Sequence, residues 1–180
     1  VEDSMMRKAL ATFLAGAVGA CLALSPSAAN AADSQSPAPA VASDSLRSEF
    51  LFDIVLTTGP VSSVGSEGAA RVVIPVTGGT FEGPNVRGTI VAPGGDWTLG
   101  KPDGSLLLDV RLVLQTDDNQ KILMTWRGVY YAPKGEPEYA RILSMFETGA
   151  AKYAWLNHLV AVGVHQPMPG KVVYRVYRIL

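Results

Sequence analysis

Three carboxylates stand where proton chemistry is possible. Glu82 lies in Gly78-Gly79-Thr80-Phe81-Glu82-Gly83-Pro84, enclosed by glycines and an aromatic ring. Glycines permit close approach of backbone or ligand. A carboxyl desolvated among them holds its proton to higher pH, as a general acid or base working near neutrality must. The plain alternative is a bulge or turn in which Glu82 pairs with a nearby arginine such as Arg87. Asp96 follows Gly94-Gly95 and precedes Trp97, so a turn aspartate competes with a second site acid. Glu147, in Phe146-Glu147-Thr148-Gly149, is the third candidate. Asp109 and Arg111 are two residues apart, which puts both on one face of a strand. Lining a lumen, Arg111 would be a fixed cationic donor to an oxygen anion or carbonyl, held by Asp109. Facing water, the pair contributes little, and spacing alone favours the solvated face.

Aromatic residues could supply walls. Trp97, Trp126 and Trp155 suit an apolar pocket for a ring-bearing ligand, although such residues are more often plain core. Trp126 shares its face with Ile122, Met124 and Tyr130, which favours core. Trp155 shares a face with Tyr153 and Asn157, a polar and aromatic mix better suited to a pocket. His158 and His165 have no partner at ligand spacing, and there is one cysteine, so no metal site is expected. No Gly-x-Ser-x-Gly, P-loop or dinucleotide fingerprint occurs, and no cofactor is expected. Fifteen Lys plus Arg against 16 Asp plus Glu give a net charge of -1, which is no basic field for nucleic acid. The expected partner is a small molecule.

The elements that must position these groups read as strands. Phe50, Phe52, Ile54 and Leu56 alternate with Leu51, Asp53, Val55 and Thr57, and Leu106, Leu108, Val110, Leu112 and Leu114 alternate with the Asp109 and Arg111 face. Further runs cover 72–76, 81–91, 121–131, 153–164 and 172–180. They are separated by turn signals at Gly78-Gly79, Pro93-Gly94-Gly95, Pro102-Asp103-Gly104, Asp117-Asp118-Asn119 and Pro167-Met168-Pro169-Gly170. Tyr139, Ile142, Leu143 and Phe146 fit a short helix nearly as well as a strand, and the following Glu147-Thr148-Gly149 tips the reading to strand. The pattern predicts an all-β fold, a single antiparallel β-barrel of about seven to nine strands, because closing the sheet removes its edges.

This domain spans 46–180. Residues 32–45, rich in Ala, Ser and Pro, read as a flexible leader. Residues 1–31 read as a signal peptide: Met5-Met6-Arg7-Lys8, an apolar run from Ala9 to Leu24, and a small-residue cleavage site at Ala29 and Ala31. The run is short for a membrane span of about 20 residues. The chain is therefore expected to be periplasmic or secreted, with no membrane span after cleavage. Val18-Gly19-Ala20-Cys21 is the competing signal, a lipobox that would tether the protein through Cys21.

The ordered blocks Ile74 to Pro84, Gly94-Gly95-Asp96-Trp97, Asp109-Val110-Arg111, Thr116-Asp117-Asp118, Phe146-Glu147-Thr148-Gly149, Tyr153-Ala154-Trp155-Leu156-Asn157 and Tyr174-Arg175-Val176-Tyr177-Arg178 resemble the family known as domain of unknown function 3237. The resemblance runs across nearly all of 50–178. It implies a small antiparallel barrel and puts Glu82, Asp96, Asp109, Arg111, Glu147 and Asn157 at motif positions. Two functions follow as expectations. One is a cofactor-independent acid/base enzyme, an isomerase, lyase or cyclase acting on a small apolar ring-containing substrate. Glu82, Asp96 and Glu147 would then move protons while Arg111 and Asn157 stabilise an enolate-like oxygen. The other is a periplasmic binding barrel without chemistry, with Trp97, Tyr153 and Trp155 lining the hole. The enzyme reading requires its five polar side chains to converge in one cavity.

Overall fold

Period-two alternation is realised as nine β-strands among the described residues, 45–65 and 70–180, of this computed structural model. They are β1 (Ser48–Thr58), β2 (Ser62–Val64), β3 (Arg71–Glu82), β4 (Arg87–Gly100), β5 (Leu106–Thr116), β6 (Lys121–Tyr131), β7 (Tyr139–Glu147), β8 (Ala161–His165) and β9 (Val172–Ile179). The expected signal peptide, and all but Ser45 of the expected leader, lie outside the described residues. Every strand pairing is antiparallel, in the order β1-β9-β8-β7-β6-β5-β4-β3-β2. β1 pairs also with β3, from Asp53↔Glu82 to Thr58↔Val76, and so closes eight of the strands into a barrel. β2 is the extra strand and takes the edge of β3 at Arg71 to Val73, beyond the reach of β1. Among the described residues no helix is long and apolar enough to cross a membrane.

A barrel of eight strands has an interior just wide enough to be filled by side chains. In β5 the even positions Val110, Leu112 and Leu114 are buried inside, and a one-residue slip would exchange them for Asp109 and Arg111. One end of the barrel is plugged. Phe52 meets Phe81 and Phe146 edge-on at ring centroid distances of 5.7 and 6.0 Å. A 3-10 helix, Ala151–His158, adds buried Tyr153 and Leu156 to this core. Asp118, in the β5–β6 turn, fixes the helix there by accepting hydrogen bonds from Lys152 Nζ (2.6 Å) and the Tyr153 hydroxyl (2.8 Å). Those donors, with the Thr116 hydroxyl, hold the Asp118 carboxyl far below its ordinary range.

Three features differ from the sequence expectation. The run 153–164 is not one strand: its first half is the 3-10 helix, in which buried Tyr153 and Leu156 recur at the three-residue period of that helix rather than at two. Gly78-Gly79 and Pro93-Gly94-Gly95 are not turns but lie inside β3 and β4 at register shifts, between Val76 and Thr80 and between Val91 and Gly95. Gly79 has φ +145°, and a Cβ there would sit 2.1 Å from the Val55 carbonyl oxygen, so the strand contact that closes the barrel needs a glycine. The run 81–91 is interrupted by the real turn, in which the Gly83 N–H donates to the Val86 carbonyl.

Candidate functional site

The end opposite the aromatic plug is open. A cavity of about 170 Å³ enters the lumen between Leu56, Val76, Leu106, Leu108 and Val110. Its polar side chains are Thr58 of β1, Asp96 and Thr98 of β4, Tyr130 of β6, His165 of β8 and Tyr174 of β9, with the Trp126 indole beside them. Inward direction follows from parity. The bulge in β4 spends four residues, from Val91 to Gly95, where β5 spends two, from Val113 to Arg111. That even excess leaves Asp96 and Thr98 on the same face as buried Ile90.

Asp96 is half-buried, and its Oδ1 accepts the Asp109 N–H at 3.1 Å. Burial raises the carboxyl above its ordinary value. The Asp109 N–H and the neighbouring Thr98 hydroxyl pull the other way, and the Asp109 charge adds to the rise. Thr98 Oγ1 lies near enough to act on Asp96 yet makes no hydrogen bond of normal geometry. Burial, followed by the charges of Asp96 and Glu138, likewise pushes the Tyr174 phenol far above its usual range. Tyr130 is raised by burial and by Glu138. Both phenols keep their protons and remain donors.

His165 Nδ1 lies 2.5 Å from Glu138 Oε1, and its ring meets Tyr174 and Tyr130 edge-on at 5.3 and 6.3 Å. In the neutral ring, with Nδ1–H donating to Glu138, Nε2 carries the lone pair. Tyr174 also packs on Trp126, with centroids 5.8 Å apart. Among the described residues three buried polar atoms find no hydrogen-bond partner: Trp126 Nε1, Thr98 Oγ1 and Ser144 Oγ. Among the described residues no group of three or more His, Cys, Asp or Glu is placed to hold a metal ion.

Of the side chains singled out from sequence for proton chemistry or oxygen binding, Asp96 alone lines this cavity, and the expected convergence does not occur. Glu82 and Glu147 are exposed at the ends of β3 and β7, each one residue past an inward phenylalanine, Phe81 or Phe146. Asp109 and Arg111 flank inward Val110 and face solvent, 3.7 Å apart, with Arg127 also 3.7 Å from Asp109. Trp97 is on the outside as well, 5.8 Å under the Arg111 guanidinium. Asn157 is a bracket: its Oδ1 accepts the Thr148 N–H at 2.8 Å and its Nδ2 donates to the Thr148 carbonyl at 2.9 Å. Tyr153 and Trp155 belong to the plugged end, where Trp155 packs against the core. Trp126, read as core, is buried and also walls the lumen.

Sequence reasoning passed over His165, Glu138, Tyr130 and Tyr174. The available signal was inward parity, shared by Tyr130 with Trp126 and by Tyr174 with Val176. Glu138 and His165 carry no local signal, since they are 27 residues apart and meet only through the loop before β7 and the end of β8.

These features define a small, closed antiparallel β-barrel with an acid-bearing cavity at one end. The chain belongs to the family described as Protein of unknown function (DUF3237), which matches it over residues 46–179. It is 28% identical over 149 residues to a UPF0311 protein of Rhodopseudomonas palustris, covering 75% of this chain and 97% of that one. It is 34% identical over 116 residues to a hydroalkoxylation enzyme of Penicillium herquei, covering 64% of this chain and 71% of that one. Among solved structures, a β-barrel-like protein of Acinetobacter baumannii superimposes with a TM-score of 0.69 at 31% identity, over 76% of this chain and 98% of that one. An enzyme from Penicillium herquei does so at 0.64 and 28%, over 75% and 95%.

Proposed function

We propose that the protein is a cofactor-independent acid/base enzyme of the lyase, isomerase or cyclase kind, acting in the open end of the barrel on a small, largely apolar, ring-containing substrate. The observation that carries this reading is the Asp96 carboxyl, desolvated among apolar walls in the cavity that the Glu138-paired His165 imidazole also lines. Two groups of this kind suit a reaction that gives a proton to one atom and takes one from another. The similarity to a hydroalkoxylation enzyme supports the same class, because hydroalkoxylation adds an O–H across a carbon–carbon double bond.

In such a step the Asp96 carboxyl gives its proton to one alkene carbon. The hydroxyl oxygen bonds to the other carbon and its proton passes to His165 Nε2. Exchange with solvent at the mouth then returns one proton to Asp96 and removes one from His165. Glu138 positions the imidazole, and the outward Glu82, Arg111 and Glu147 take no part.

The test is incubation with hydroxy-alkenes, 2-allylphenol among them, in D2O and without added cofactor. The expected result is protein-dependent ring closure to 2-methyl-2,3-dihydrobenzofuran carrying one deuterium in its methyl group. The second reading, a binding barrel, is favoured by the unpartnered Trp126 indole, and saturable binding with every compound recovered unchanged and unlabelled would replace the enzyme with it.

Export belongs to the same proposal and rests on Met5 to Ala31. A mature amino terminus at Ala32 in a periplasmic or secreted fraction is the expected result. A lipidated Cys21 would replace release by tethering, and an uncleaved chain in the cytoplasmic fraction overturns export.

A further inference from the structure

We infer that Trp126 Nε1–H is the anchor for an uncharged carbonyl oxygen carried by a ring of the ligand. The inference rests on the reading of the lumen as a ligand site and adds to it the polarity and charge of what enters. Trp126 is 3% exposed and walls the cavity, and its N–H has no acceptor among the described residues. An indole nitrogen only donates. A buried donor left unmade lowers stability, and an apolar wall at this position needs only an apolar ring, such as that of phenylalanine. The N–H therefore calls for an acceptor supplied from the lumen.

Charge decides what kind of acceptor. The cavity is lined by Asp96 and by no lysine or arginine, and Glu138 stands behind His165. A carboxylate or phosphate entering beside Asp96 would lose its water with no lysine or arginine to pair with. A neutral oxygen pays no such cost, and among neutral oxygens a carbonyl is a strong acceptor. Shape decides the rest. Trp126 and Tyr174 form an aromatic corner tilted at 55°, continued by the His165 ring at 62° to Tyr174, and the remaining wall is mostly aliphatic. Such a corner suits a flat ring system that carries the carbonyl. A hydrogen bond at this oxygen would also stabilise negative charge developing on it during proton transfer at a neighbouring carbon.

Three non-reacting probes of similar size separate the possibilities: 1-tetralone, tetralin and 1-naphthoate. With 15N-labelled protein, the three tryptophans give three indole N–H resonances, and Trp126→Phe assigns one of them. 1-Tetralone is expected to bind about tenfold more tightly than tetralin and to move the Trp126 resonance downfield, while 1-naphthoate binds weakest. Trp126→Phe is expected to bring 1-tetralone down to the affinity of tetralin and to leave tetralin unchanged. Equal binding of ketone and hydrocarbon, tightest binding by the carboxylate, an unmoved indole resonance or no binding at all overturns the inference. If Trp126→Phe does not fold, the wild-type resonance and the three affinities decide. None of the probes turns over, so this outcome is separate from failure of the acid/base reading, which is judged by conversion of hydroxy-alkenes.

Discussion

Asp96→Asn is expected to lower turnover of whatever substrate the barrel converts by about 100-fold or more, the usual weight of a positioned acid or base, while leaving the protein at least as stable. Asparagine has the same shape, and its Oδ1 can still accept the Asp109 N–H that Asp96 accepts at 3.1 Å. It has no proton to give. The stability half follows from the direction of the shift. Burial raises the folded carboxyl above its ordinary value of 3.8, so the folded protein holds this proton more tightly than the unfolded chain does. Relative stability from this group is greatest below the unfolded value and falls as pH rises from there through the raised folded value. Above that, the buried charge is a constant cost. Above the raised value the asparagine variant escapes this cost and is expected to melt at the same or a higher temperature. Wild-type kcat should fall as pH rises through the raised Asp96 value, because the acid must be protonated, and the variant should lack that limb. Thermal melts and a kcat–pH profile check both halves. Unchanged turnover, or a variant that melts well below wild type, would make Asp96 a brace between β4 and β5.

The strands were legible because one face of each is buried. Leu106 to Leu114 shows this best: its even positions, all apolar, turn inward, while Asp109 and Arg111 turn out together with Leu107 and Val113 and form an exposed pair. Closure was legible only as a need to hide edges; the pairing of β1 with β3 depends on Gly79, which together with Gly78 reads from sequence as a turn. Of the residues chosen for proton chemistry, one lines the cavity. Asp96 stood out by its glycines, and the same argument chose Glu82, which follows an inward phenylalanine and so lies outside the cavity. Several ordered polar blocks prove to be joints of the fold. Asn157 brackets Thr148, Asp117 binds Arg87, and Asp118 holds the 3-10 helix. The Glu138–His165 pair was invisible, since the loop before β7 meets the end of β8 only once these two strands are paired, 27 residues apart in sequence.

Phe52→Ala is expected to act in the opposite way, destabilising by about 3–5 kcal/mol while leaving the chemistry of the open end in place. Phe52 is 1% exposed, and its ring bridges Phe81 and Phe146 at 5.7 and 6.0 Å. It therefore links β1 to β3 across the seam and to β7 across the lumen. Removing it takes away its own burial and both edge-on contacts. The space left cannot collapse easily, because the ring of hydrogen-bonded strands fixes the distance across the barrel. Against a typical total of about 5–15 kcal/mol, a loss of this size leaves a folded but marginal protein. Urea unfolding is the check: the midpoint should fall with the slope unchanged, as for a change in stability without a change in the surface exposed. Ligand affinity, measured well below the new melting temperature, should stay within about threefold of wild type, since neither Phe52 nor its two partners line the cavity. A loss below about 1 kcal/mol would mean that the plugged end repacks around a smaller side chain. A loss of affinity matching the loss of stability would mean that the plug also supports the site, and that the two ends of the lumen are one cooperative unit.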